Sequence, residues 1–511
     1  MSRTENSLKN LRFSIFFKIA GIILTFLARK IFVRILSAEY LGLNGTFSNV
    51  LTMLSLVELG VGSAITFSLY RPLAENDRTL VLSIMKLYKK LYTIIGITVA
   101  VLGAALTPFL PHLVKEMPDI PHISLIYLMF VFNSAISYFF VYKQTLIDAD
   151  QKNYIITTYN CTVGMSCTIL QCVVLLLTHN YFLYLGLTIA QTIVSNVLLA
   201  RKADRLYPFL NDPDAAPLPQ ETKTQISKNV SGMVLHKVGA VIVFGTDNLL
   251  LAKIFGVVSV GIYSNYTLVT ESLKSATTLL FRSLTASVGN LNAAEDRDYV
   301  EQMFWRIDRF SQWLFGFCSI CLFALLNPLI GEIWLGEEWL FPVPIVFVIV
   351  LNFYINGMRQ SNLLFTDAMG LYWEGRYKPV AESIINLAVS ILLALRYGVI
   401  GVFIGTFVSM ISTDFWIEPR IVFRHGLKRS PGRYFTRYAF HTAVTFAAGF
   451  VTVFLCGLLP SGLLAFLGKM MICAIVPNLI YFLVYFRTEE FGYFKELLTR
   501  ILSKLVKKDT P

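Results

Sequence analysis

The stretch MVLHKVGAVIVFGTDNLLLAKIF, Met233 to Phe255, is apolar over more than the roughly 20 helical residues that a 30 Å hydrocarbon layer requires, yet His236, Lys237 and Asp247 lie inside it. Ionisable groups at such depth cost several kcal/mol and usually face a bundle interior or a watery cavity. The segment therefore reads as a membrane helix with one polar face, and the rest of the chain has the same character. Of 511 residues, 55% are hydrophobic and only 15% are charged, and the mean hydropathy of +0.62 is far above that of a soluble globular domain.

Fourteen apolar runs of spanning length stand between charges, prolines and turn residues. They cover approximately residues 13–33, 41–70, 91–110, 122–142, 154–178, 181–200, 229–252, 257–281, 310–328, 340–366, 379–395, 399–419, 438–459 and 461–486. Their continuous rather than alternating apolarity excludes a β-barrel. The expected fold is an all-α polytopic membrane protein. With a cytoplasmic N-terminus, 33 Lys and Arg fall in inner segments and four in outer loops, namely Arg34, Lys115, Lys253 and Arg396. That asymmetry is the positive-inside pattern, and an even number of spans returns both termini to the cytoplasm. The net charge of +12 is then a consequence of topology, and no nucleic-acid partner is called for. The basic N-terminus resembles a secretory signal only superficially, since Lys18 interrupts the apolar run and no small-residue cleavage site follows.

An ungapped offset of 219 residues superimposes Lys18 on Lys237, Arg34 on Lys253, Ile35 on Ile254 and Gly42 on Gly261. Span one then overlies span seven, and both copies start on the same side. The predicted organisation is two six-helix lobes in parallel repeat. The N-terminal lobe covers residues 1–200, a proline-containing cytoplasmic linker 201–228 and the C-terminal lobe 229–419. A basic cytoplasmic loop over 420–437, two further spans over 438–486 and a basic amphipathic cytoplasmic tail over 487–511 complete the chain. That tail is expected on the anionic inner leaflet, with docking onto a biosynthetic partner as the alternative. Cys318 and Cys321 form a CxxC in mid-helix among apolar neighbours and read as core packing rather than redox chemistry.

Three segments carry a family resemblance: SAEYLGLNGTFSNVLTMLSLVELGVGSAI (Ser37 to Ile65), HKVGAVIVFGTDNLLLA (His236 to Ala252) and TDAMGLYWEGRYKPVAESIINL (Thr366 to Leu387). The chain resembles the Wzx-type oligosaccharide flippases of bacterial capsule, exopolysaccharide and O-antigen synthesis. Their superfamily also holds the multidrug and toxin extruders and the lipid II flippases. The resemblance implies a twelve-helix, two-lobed core with two additional C-terminal helices in the bacterial cytoplasmic membrane. It implies as substrate a polyprenyl-pyrophosphate-linked oligosaccharide moved from the inner to the outer leaflet by alternating access. Polysaccharide polymerase or glycosyltransferases of the same pathway are the implied protein partners.

Independently of the resemblance, Lys18 and Arg29 are three helical turns apart and share a face at roughly 16 Å separation. Lys18, Arg29, Lys237, Lys274 and Arg359 are the expected ligands for pyrophosphate and sugar, because compact ammonium groups suit concentrated phosphate charge and guanidinium forks onto two oxygens. Glu58, Asp247, Glu271, Asp367 and Glu382 are the expected coupling or gating carboxylates, with Asp414 in a further apolar run. Plainer readings compete at several positions. Lys18 and Lys237 are close enough to helix ends to snorkel, Glu271 and Lys274 at i,i+3 suit each other, and Asp367 suits the end of its span. No phosphate loop or paired-His helix is present, so no cofactor, metal or catalytic residue is predicted. Driving force is left between ion gradients, membrane potential at about 2.3 kcal/mol per charge per 100 mV, and removal of product. A multidrug antiporter of the same superfamily is the first alternative and should favour anionic cavity residues. A membrane-embedded polymerase is the second and should display a long outer loop.

Overall fold

The computed structural model describes residues 20–58, 61–212, 217–220, 222–224, 226, 246–294, 296–371 and 373–506. These residues are helical almost throughout, with no strand among them. Among the described residues, ten helices are long and apolar enough to cross a membrane, and each coincides with one of the fourteen expected spans. The chain is a multi-pass membrane protein. Of the other four expected spans, those beginning at 13 and 229 lie partly outside the described residues. The chain divides into two compact units, Met1–Ser264 and Asn265–Pro511.

In the first unit, α1 covers residues 20–35. The expected continuous span 41–70 is instead broken into α2 (Ala38–Leu54), a 3-10 turn (Ser55–Glu58) and α3 (Val61–Ala74). Glycines disfavour helix interiors by about 1 kcal/mol relative to alanine, and Gly62 sits at the start of α3. A Cβ on Gly62 would stand 2.5 Å from the Tyr92 hydroxyl. The hairpins that follow are α4 (Arg78–Ala105) with α5 (Ile123–Ala149), then α6 (Asn153–Thr178) with α7 (Tyr181–Leu206). Side-chain caps start two of them: Asp77 accepts from the Leu80 N–H and Asn180 from those of Phe182 and Leu183, satisfying donors a helix end leaves open.

After residues 246–250, a π-helical turn over Leu251–Phe255 forms α8, and Gly256 at φ 89° turns the chain into α9 (Val257–Ala294). The start of α9 crosses α2 at backbone contact. A Cβ on Gly42 would fall on the Val257 carbonyl oxygen, and one on Gly261 would lie 2.7 Å from the Ala38 carbonyl oxygen and 3.3 Å from the Gly42 nitrogen. Small residues at such crossings let helices gain dispersion contact in lipid, where no hydrophobic force drives association. The two glycines superimposed by the 219-residue offset thus meet each other.

The second unit is built on α10 (Arg297–Asn327), which runs into a π-helical turn at Pro328–Trp334. The expected span 340–366 is split at Arg359 into α11 (Val343–Met358) and α12 (Gln360–Met369). Next come α13 (Lys378–Tyr397) and α14 (Val399–Ser412), joined by Gly398 at φ 75°. Gly401 and Gly405 of α14 lie on the backbone of Leu393 and Ser390, so this hairpin is packed backbone to backbone. Beyond Thr413 the helix restarts as α15 (Asp414–Ile421).

Helices α16 (Gly432–Gly457) and α17 (Leu463–Tyr485) are fastened to α10 by a fully buried histidine. His441 Nδ1 hydrogen-bonds the Tyr485 hydroxyl and Nε2 the Gln312 carbonyl, both at 2.8 Å. The Gly316 face leaves room for the Tyr481 hydroxyl beside Thr445. At the loop before α17, Glu332 lies 3.5 Å from Lys469 and accepts from the Gly462 N–H at 2.9 Å. The expected amphipathic tail is a helix, α18 (Glu489–Val506). It is held by the Arg437–Glu490 ion pair at 2.7 Å and by Arg306 over the Tyr493 ring at 4.2 Å.

Candidate functional site

Among the described residues, two charge sites within expected spans, one in each unit, have opposite architecture. In the first unit, α1 brings Thr25, Arg29 and Phe32 to a cavity of about 330 Å³ whose other walls are Asn44 and Ser48 of α2, Thr168 and Gln171 of α6, and Tyr184 of α7. The Arg29 guanidinium is partly buried and donates to the Ser264 hydroxyl at 2.9 Å. Among the described residues no carboxylate stands within ion-pair distance of it. A guanidinium carries five donors and its charge at every pH, so one serine leaves most of its capacity free.

The walls around Arg29 are themselves fixed. Gln171 donates to the Thr188 hydroxyl at 2.8 Å and to the Tyr184 carbonyl at 3.2 Å. Tyr181 donates its hydroxyl to Asn44, and its ring stacks on that of Tyr184 at 6.0 Å. Phe32 meets the Tyr184 ring edge-on at 5.3 Å. The result is a cationic pocket with amide, hydroxyl and aromatic groups held in place, a donor set suited to phosphate and sugar oxygens.

Elsewhere in the first unit, Glu58 at the helix break accepts from the Tyr92 hydroxyl at 2.5 Å, and the neighbouring Tyr88 hydroxyl pairs with Thr145 at 3.0 Å. Asp247 is partly buried in the helical turn just before α8. Lys18, His236 and Lys237 lie outside the described residues.

The second unit holds the other expected groups differently. Arg359, at the break between α11 and α12, binds both Asp414 and Glu418 of α15, with its Nε 3.0 Å from Glu418. Lys378, the first residue of α13, bridges the same two carboxylates at 2.7 and 2.6 Å. Two cations and two carboxylates thus alternate in a ring, all four largely buried. Glu382, one turn beyond Lys378, is buried and faces this ring. Arg359 and Glu382, expected in separate roles, are brought together here. Lys274 pairs with Glu271 on its own helix at 3.1 Å, and Asp367 is exposed near the end of α12.

Glu418 and Lys378 were not among the expected site residues. Their signal was present as two i,i+4 pairs, Lys378 with Glu382 and Asp414 with Glu418, each on one helix face at the end of an apolar run.

The sequence matches no family model and no curated protein. Solved structures do match over most of the chain. An inward-facing multidrug resistance MATE family transporter of the MOP superfamily aligns with a TM-score of 0.64 at 14% identity, over 80% of this chain and 95% of that one. The fold is that of the MATE and MurJ transporters. The lipid II flippase MurJ, in an inward closed conformation, aligns with a TM-score of 0.62 at 12% identity, over 92% of this chain and 99% of its own. The Vibrio cholerae MATE transporter VcmN in its bent form aligns with a TM-score of 0.53 at 15% identity, over 84% and 99% of the two chains. This MOP-type fold is the one that the resemblance read from the sequence implies.

Proposed function

We propose that the chain is a flippase that carries a polyprenyl-pyrophosphate-linked oligosaccharide across the bacterial cytoplasmic membrane. The observation that carries this reading is Arg29: a guanidinium on α1, beside a polar cavity, with a serine and, among the described residues, no carboxylate as partner. An unpaired cation there is compensated when an anionic head group enters. A cavity that selected cationic compounds would place a carboxylate where Arg29 stands. The MurJ alignment also extends over more of this chain than that of the MATE transporter, 92% against 80%. Lys18 and Lys237 are proposed to continue the cationic path, and sugar hydroxyls are served by groups such as Asn44, Ser48 and Tyr184. The polyprenyl tail stays in lipid.

The test is transport in proteoliposomes of a polyprenyl-pyrophosphate-linked oligosaccharide and of a polyprenyl glycoside lacking phosphate. A charge-assisted hydrogen bond contributes about 1.5–3 kcal/mol, so Arg29→Ala should slow transport of the pyrophosphate lipid roughly ten- to a hundredfold. Arg29→Lys should retain part of the rate. Equal transport of both lipids, or transport of a quaternary ammonium dye that survives Arg29→Ala, would overturn the reading.

A further inference from the structure

Helix α10 begins at Arg297, but the apolar run expected to meet hydrocarbon begins only at Phe310. Just before that run, Arg306 and Arg309 stand at i,i+3 on one helix face. Both line a cavity of about 790 Å³ within the second unit, inside the range of roughly 300–1,000 Å³ usual for small-molecule sites. Its other walls are chiefly carbon: Val288 and Leu291 of α9, Phe482 of α17, and Phe491 and Phe494 of α18. Polar groups in the lining are largely engaged already. Asn478 accepts from the Trp313 indole at 2.9 Å, the Tyr481 hydroxyl pairs with Thr445 at 2.9 Å, and the Tyr485 hydroxyl pairs with His441.

The two guanidinium groups are the exception. Arg306 lies over the Tyr493 ring at 4.2 Å and Arg309 over the Tyr485 ring at 4.1 Å. Arg309 also donates to the Gln312 side chain at 3.1 Å, and its buried Nε has no acceptor. Among the described residues no carboxylate stands within ion-pair distance of either, whereas Arg429 and Arg437 nearby are both paired. Two cations without counter-ions at the rim of an apolar cavity match a phosphate that carries hydrocarbon chains.

We infer that this cavity binds an anionic phospholipid of the surrounding bilayer, with its phosphate at Arg306 and Arg309 and an acyl chain along Phe310, Trp313 and Phe482. The arginines lie at the depth of the headgroups and the aromatic wall lies at the depth of the chains, because the apolar run of α10 starts between them. A zwitterionic head group brings its own cation and gains less from this pair. A lipid-linked sugar would need hydroxyl and amide partners that these carbon walls do not supply. One wall belongs to α18, whose Phe494 meets Phe310 at 6.1 Å and whose Phe491 meets Phe482 at 5.6 Å. The bound lipid therefore seats the tail helix against α10 and α17. This inference does not depend on which cargo the protein carries.

Native mass spectrometry of the full chain, stripped of lipid in detergent and titrated with phosphatidylglycerol or with phosphatidylcholine of the same chains, tests it. Wild type should take up one phosphatidylglycerol at about a tenfold lower concentration than phosphatidylcholine, the worth of one charge-assisted hydrogen bond. Arg306→Ala with Arg309→Ala should bind the two lipids alike. Leu291→Trp, which fills the cavity and keeps both arginines, should also lose phosphatidylglycerol. Added phosphatidylglycerol should slow protease cleavage of α18 in wild type and leave the double variant unchanged. Equal binding of the two lipids by wild type overturns the inference, as does a preference that survives the double variant or retention unchanged by Leu291→Trp. Displacement of phosphatidylglycerol by an equimolar polyprenyl pyrophosphate overturns it too, by making the cavity a cargo site. Should the double variant not fold, Arg306→Gln, which breaks no ion pair, must show the weakened preference, and an undiminished one is equally fatal.

Discussion

Glu418→Gln is the sharpest perturbation of the second unit, because it removes one charge from the buried ring while keeping nearly the same volume. Glu418 accepts from Arg359 through Nε at 3.0 Å and through a second guanidinium nitrogen, and from Lys378 at 2.6 Å. With glutamine in its place, two buried cations share Asp414 as their one ion-pair partner, and one of them loses its salt bridge. Breaking a buried pair from one side costs about 3–5 kcal/mol, chiefly the cost of the stranded partner. The same physics predicts the rescue. Lys378→Met with Glu418→Gln leaves the Arg359–Asp414 pair intact and neutral, and a buried ion pair replaced by apolar volume is often neutral or stabilising. The double variant should therefore recover about 2 kcal/mol or more relative to Glu418→Gln, a coupling large enough for a double-mutant cycle to resolve. The assay is reversible unfolding in bicelles titrated with dodecyl sulfate, read by tryptophan fluorescence. A loss below about 1 kcal/mol for Glu418→Gln, or a double variant no more stable than the single one, would refute the claim that the ring is buried and charge-balanced.

The remaining predictions concern packing, topology and the tail. Gly42→Ala drives a methyl group into the Val257 carbonyl, a backbone atom that cannot turn aside, so it should destabilise the first unit by about 1–3 kcal/mol, whereas Gly186→Ala, where no atom lies within 4 Å, should be tolerated in the same thermal-unfolding assay. In a cysteine-free background, an impermeant thiol reagent applied from the periplasm should label a cysteine at Glu337 and spare one at Thr222; the reverse pattern would invert the expected orientation. Burial raises the Glu490 carboxyl, but the hydrogen bond from Arg437, a backbone hydrogen bond and the charges of Arg437 and Arg309 together outweigh it and hold the group below the usual glutamate range. A depressed carboxyl stabilises above its unfolded-state value and loses that contribution as pH falls through the folded one. Protease cleavage within α18 should therefore increase on acidification below the ordinary glutamate range, and Glu490→Gln should be cleaved more readily at neutral pH as well.

Ten of the membrane helices were legible because hydropathy over about 20 residues reports a requirement of the solvent, and no tertiary knowledge is needed to read it. The breaks were not. Apolar composition continues through Arg359 and Thr413, so the window that finds a span cannot find its interruption, and only the ion pairs of Arg359 give the first break a reason. Arg29 was visible as a cation within a span, since nothing near it in sequence neutralises it. Lys378 and Glu418 were not, because a charge at the end of an apolar run looks the same whether it faces headgroups or turns inward to a partner many residues away. The i,i+4 spacing of Asp414 with Glu418 and of Lys378 with Glu382 was the local trace of an arrangement whose other half is tertiary.

The contrast between the two sites bears on how intramembrane charge should be read. Arg29 and Arg359 are the same residue type, each within an expected span, and each was assigned to substrate. The folded chain separates them by partner. Arg359 has two carboxylates, so binding an anionic head group there would require breaking ion pairs whose loss from one side costs about 3–5 kcal/mol. Arg29 has a serine and an open polar cavity, so an incoming phosphate would add interactions without displacing a carboxylate. A charge already satisfied inside its own unit holds helices in register, and one left without a counter-ion is available to cargo. On that criterion the search for substrate contacts belongs at Arg29 and its neighbours Asn44, Ser48 and Tyr184, while the ring around Arg359 ties α13 to α15 through Lys378.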